Sequence, residues 1–130
     1  MVLTTTLTAA AAAALINCWL MFRCGQIRKV TKILHGDDDH PLLIRRMRAQ
    51  SNFIESTPFV LILIAGIELA GRGGQWLSFT AAFYMLLRIA HAVGMDRSEI
   101  NMFRMAGTMT TLLTQLGLSA AAVAIALGKF

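Results

Sequence analysis

The chain is 130 residues long, 56% hydrophobic and only 15% charged, with a formal net charge of +5. A mean hydropathy of +0.62 argues against an ordinary soluble domain, and the length leaves room for one multi-pass membrane domain. A basic balance can signal nucleic acid, but neither aromatic interleaving nor a nucleic-acid motif accompanies it here, so no nucleic-acid partner is expected.

The first element is predicted over residues 2–22, which hold no charged side chain and are long enough to cross a bilayer. A cleaved leader would carry positive charge ahead of its apolar run; here the basic residues follow it, so the segment reads as a retained helix. Cys18 and Cys24 have neither CxxC spacing nor a disulfide register and read as ordinary thiols. A polar loop is expected from Arg23 to about Leu43. Its His35-Gly-Asp-Asp-Asp-His40 run has no EF-hand or zinc spacing, so it reads as a solvated loop and no metal site is expected.

A second span is predicted over 42–70, with the Asp37–Asp39 run at its positive end and Pro41 in its first turn. Gly71-Arg72-Gly73-Gly74 is a tight turn. The third span, 76–94, opens on the interfacial Trp76. The fourth, 105–127, carries no charge and would be about 34 Å long at the helical rise. The expected fold class is therefore an all-α membrane protein, one four-transmembrane-helix bundle over residues 1–130.

Charge distribution orients these spans. Arg23, Arg28, Lys29, Lys32, Arg45, Arg46, Arg48, Arg97 and Arg104 fall on one side, while only Arg72 and Lys129 fall on the other. The positive-inside rule places the basic loops in the cytoplasm and both termini outside. Ala and Thr in the first and last spans, with Gly107, Gly117 and Ser119, are residues that let helix backbones approach closely.

The polar side chains inside the spans are the candidates for chemistry, because such groups are costly in lipid. Arg48, Asn52 and Glu55 follow i, i+4, i+7 and share a helix face, with Gln50 pointing roughly the opposite way. An arginine fork, an amide and a carboxylate together suit a zwitterionic, peptide-like ligand, or else an internal pair that fixes packing. On the third helix, Tyr84, Arg88, His91 and Met95 also share a stripe. Arg88 needs a partner, for which Glu55 and Glu68 are the acids at hand, so Arg88, Glu68 and Tyr84 are read as structural polar residues. His91 either hydrogen-bonds a ligand or is a satisfied packing residue. Arg104 is either a snorkelling boundary residue or a fixed cation that favours a nearby thiolate. No serine–histidine–aspartate order and no phosphate-binding glycine loop is present.

Arg48-Ala-Gln-x-Asn52-x-x-Glu55-x-x-Pro58 opening a second membrane helix resembles the MAPEG family, the membrane-associated proteins of eicosanoid and glutathione metabolism. Arg88-Ile-Ala-His91-Ala-Val-Gly94 and Arg104-x-x-Gly107-Thr108 resemble its bacterial, microsomal-glutathione-transferase-like branch. The resemblance implies a homotrimer in a bacterial inner membrane that binds glutathione between protomers near the cytoplasmic face. Arg48, Gln50, Asn52 and Glu55 would hold the tripeptide, Arg28 or Lys29 would reach its carboxylates, and Arg104 would stabilise the thiolate. It also implies a glutathione transferase acting on lipid-soluble electrophiles, with hydroperoxides a second substrate class and no cofactor beyond glutathione as co-substrate. Family tyrosine positions read Ser56, His91 and Met95 here, which favours broad detoxification over leukotriene synthesis. Two other classes compete: a non-catalytic membrane interaction protein with the same fold, and a proton-coupled carrier, whose essential acid the first span lacks.

Overall fold

The computed structural model describes all residues, 1–130, and contains four helices and no strand: α1 (Thr4–Thr31), α2 (Pro41–Leu69), α3 (Gln75–Gly94) and α4 (Met102–Ala126). All four are long and apolar enough to cross a membrane. α2 packs on each of the other three and α3 packs on α1 and α4, whereas α1 and α4 do not meet. The bundle has two distinct ends. One carries the termini and the 70–74 turn; the other, basic end carries the α1–α2 and α3–α4 connections.

Helix boundaries differ from the sequence expectation in two places. α1 runs to Thr31, through most of the expected loop, because loss of hydropathy marks the edge of the bilayer and not the end of a helix. Neither Pro nor a capping Gly interrupts it; it stops only where Lys32 turns left-handed at φ 63° and donates its N–H to Arg28 O. α4 begins at Met102, earlier than expected, because Asn101 caps it, accepting from Arg104 N at 3.1 Å.

Pro41 does open α2, but the cap is His40, whose Nδ1 accepts from Leu43 N at 3.2 Å. The aspartates build the preceding turn instead: Asp37 Oδ1 accepts from Asp39 N at 2.9 Å, and Asp38 and Asp39 both take positive φ. Pro58 lies inside α2 without ending it.

The interior is a seam of Ala9, Ala13, Ile16 and Leu20 from α1, Phe53, Val60, Ile64 and Ile67 from α2, and Leu77, Ala81, Tyr84 and Met85 from α3. Small residues on α1 let it lie close to its neighbours, which matters in lipid, where packing replaces the hydrophobic drive between helices. Outside, Leu15, Phe22, Phe59, Ile62, Phe79, Phe83, Leu113 and Leu116 are all exposed. An apolar exterior this extensive fits a bilayer and neighbouring helices, not water.

At the far end, Glu68 of α2 meets the first turn of α1. α1 has no cap of its own, and the Glu68 carboxylate accepts from Thr5 N (2.9 Å), Thr6 N (2.8 Å) and Thr6 Oγ1 (2.7 Å). Replacing Glu68 with Ala is expected to fray this turn. Hydrogen exchange at the Thr5 and Thr6 amides should quicken, with the middle of α1 around Ile16 unchanged.

Candidate functional site

The basic end holds a cavity of about 600 Å³ between α2, α3, the α3–α4 connection and α4. Arg45, Arg48 and Asn52 line it from α2, His91 and Met95 from the end of α3, Ser98 from the connection, and Arg104 and Thr108 from α4. Local chemistry explains why these elements converge. Asn101 caps α4 and also donates from Nδ2 to Gly94 O at 2.8 Å, tying the end of α3 to the start of α4. Gly94 permits that closeness, since a Cβ there would stand 2.6 Å from Arg104 N.

Three arginines face this cavity and no carboxylate lines it. Arg45 is partly occupied, its Nε donating to Asp96 O at 3.0 Å. Arg48 and Arg104 make no side-chain hydrogen bond or ion pair within the chain, unlike Arg23, Arg28, Arg46 and Arg88. Two unpartnered guanidinium groups on one cavity are arranged to take acceptor oxygens or a thiolate. Beside it runs an apolar groove of about 280 Å³ lined by Ile100, Met105 and Met109, which shares Arg104 and Thr108 with the basic cavity.

Of the expected ligand-binding set, a single chain gathers Arg48, Asn52, His91 and Arg104 at one cavity. The others lie elsewhere. Glu55 is exposed on the outer face of α2, about 10 Å further along the axis than Arg48, with no partner in the chain. Gln50 faces α1, its Oε1 accepting from Cys24 Sγ at 3.8 Å. Arg28 donates to Gly36 O at 2.8 Å and Ile33 O at 3.3 Å, folding the loop back on α1, and Lys29 is exposed.

The expected partners of Arg88 require correction. Neither Glu55 nor Glu68 reaches it; Arg88 is 2% exposed and donates to Asn52 Oδ1 at 2.6 Å and Thr111 Oγ1 at 2.9 Å. Glu68 lies at the far end of α2, bonded to the first turn of α1, and Glu55 points out of the bundle. Tyr84 is fully buried, its hydroxyl hydrogen-bonded to Thr57 Oγ1 at 3.0 Å.

Sequence reasoning missed Arg45, Ser98 and Thr108 as lining residues, and it missed Asp96. This carboxylate pairs with Arg23 and, at 3.3 Å, with Arg46, drawing α1 and α2 onto the end of α3. Arg23 also donates to Ala92 O at 3.1 Å and stacks over Trp19. The available signal was an acid two residues after the end of α3, at the end of the bundle where most of the arginines gather.

A sequence model of the MAPEG family matches residues 6–124, from the first turn of α1 to the last turns of α4. No curated protein matches the chain.

Proposed function

The chain belongs to the MAPEG family, and on that premise we propose that it is a membrane-bound glutathione transferase that activates the glutathione thiol for attack on lipid-soluble electrophiles. The observation that carries this reading is the acid-free cavity with Arg48 and Arg104 unpartnered. Glutathione brings two carboxylates, an ammonium and a thiol. The Arg48 fork takes a carboxylate bidentately, Asn52 and His91 hydrogen-bond the peptide, and Arg104 faces the sulfur. A cation fixed beside the thiol favours its thiolate, which ordinarily forms only above neutral pH. The thiolate sulfur then bonds to the electrophilic carbon as that carbon's bond to its leaving group breaks and the leaving group departs with the electron pair. An electrophile dissolved in the bilayer approaches along the Ile100, Met105 and Met109 groove that adjoins Arg104. Holding the two reactants in register supplies the rest of the acceleration. Hydroperoxides form a second substrate class for the same thiolate.

A homotrimer completes the site in this reading. Glu55, Gln50, Arg28 and Lys29 stand outside the cavity of their own chain, and a neighbouring copy brings such groups to it, Glu55 answering the ligand ammonium. The basic end faces the cytoplasm, where the thiol is available, and the termini face away.

Thiolate absorbance in the ultraviolet tests the proposal on detergent-purified protein at neutral pH. Glutathione should raise a thiolate signal in the wild type, and Arg104→Ala should reduce it by about tenfold or more, because a thiol returned to its free pKa of about 8.5 is only a few per cent ionised at neutral pH. Glutathione that neither produces thiolate nor raises thermal stability would overturn the reading.

A further inference from the structure

Asn52 offers the cavity one of two chemically opposite faces, because its amide carries an acceptor oxygen on one side and a two-proton donor on the other. What decides between them is Arg88. A guanidinium has donors only, so the Asn52 atom that meets Arg88 Nη2 at 2.6 Å is the oxygen, Oδ1. Rotating the amide by half a turn would set N–H against N–H in a site where the arginine is 2% exposed. Arg88 itself cannot turn aside. Its other terminal nitrogen is held by Thr111 Oγ1 at 2.9 Å, and Thr111 in turn donates to Gly107 O at 2.8 Å. The Phe53 ring lies against the guanidinium, 5.9 Å from centroid to Cζ.

We infer that Arg88 is a positioning residue that fixes the polarity Asn52 presents: by holding Oδ1 of Asn52, it turns the Asn52 amide protons, rather than the oxygen, toward a ligand. Asn52 therefore presents donors at this depth and favours a ligand atom that accepts, such as a carboxylate, a peptide carbonyl or a thiolate. A ligand N–H set against Asn52 meets the amide protons and is disfavoured. No carboxylate pairs with Arg88, so its charge also adds to the attraction of the cavity for an anion. This inference rests on the glutathione-binding reading above and extends it to a residue that does not line the cavity.

The test is a double-mutant cycle on glutathione affinity, measured by calorimetry on the full-length protein in detergent. Arg88→Met and Asn52→Ala should each weaken binding by about tenfold, the usual scale for a hydrogen bond to a charged group. In the Asn52→Ala background, Arg88→Met should add less than about twofold, because the group it acts through is already gone. Arg88→Lys still donates to Oδ1 and should restore most of the affinity lost in Arg88→Met. Should Arg88→Met prove too unstable, Asn52→Asp serves: it meets Arg88 as an ion pair and keeps the fold, but it cannot donate, so binding should fall by about tenfold or more. Independent, additive losses, or an Asn52→Asp variant that binds as well as the wild type, would overturn the inference while leaving the transferase reading intact. A wild type that does not bind glutathione would overturn both, and the two failures are told apart by that control.

Discussion

Gly107→Ala is expected to be among the most damaging single-methyl changes in this chain. A Cβ at Gly107 would run into Cβ of His91 and stand 2.8 Å from the backbone oxygen of Leu87, so α4 lies against the backbone of α3 at this point. Neither obstacle can swing away, being backbone or its first carbon, and the helices must separate. Overpacking of this kind costs about 1–3 kcal/mol, and the upper part of that range applies where the obstruction is rigid. Separation would also disturb ligand binding, since Thr111, which anchors Arg88, follows one turn later on α4 and His91 lies directly opposite. Gly117→Ala is the control. It meets nothing within 4 Å, and Ala is the better helix former by about 0.5–1 kcal/mol, so it should be neutral or stabilising. Thermal unfolding in detergent, with glutathione affinity alongside, reads both variants. Equal behaviour of the two would show that α3 and α4 do not cross this closely.

This crossing also shows what the sequence could reveal. Spans, turn and basic asymmetry are visible because lipid imposes them on composition: apolar runs, Gly71 and Gly74 at positive φ, and arginine gathered at one end. Arg48 and Asn52 are legible as one face because helical spacing alone brings them together. The partners of Arg88 are not legible in the same way. Charge complementarity points to Glu55 or Glu68, yet the partners are a neutral amide and a hydroxyl, chosen by where α2 and α4 cross α3 and not by charge. Likewise, hydropathy reports where α1 leaves an apolar medium, while the end of the helix depends on backbone geometry at Lys32. The cavity-lining roles of Ser98 and Thr108 follow from the way Asn101 ties two helix ends together, a tertiary arrangement that leaves only a faint trace in sequence.

Asp96→Ala should destabilise the basic end by about 3 kcal/mol, and the reason lies less in the attraction lost than in the charge left behind. Arg23 is 7% exposed, held between Trp19, Ala92 O and the Asp96 carboxylate. Without that carboxylate a buried guanidinium has only a carbonyl and a ring for company, and Arg46 stands nearby with the same sign, donating to Arg23 O at 2.9 Å. The Arg46 arm contributes less, being longer and nearer solvent. If the unpaired cation is the cause, removing it should repair much of the damage. Arg23→Met keeps a long side chain against Trp19, so the double variant Asp96→Ala/Arg23→Met should recover about half of the lost stability or more. Recovery stays incomplete because Ala92 O, an end-of-helix carbonyl of α3, loses its donor. If the attraction itself were the main contribution, the double variant would be as unstable as Asp96→Ala alone. Thermal unfolding of the single and double variants separates these accounts. Glutathione affinity should follow stability, because Asp96 O also positions Arg45 on the cavity wall and the connection it anchors carries Ser98.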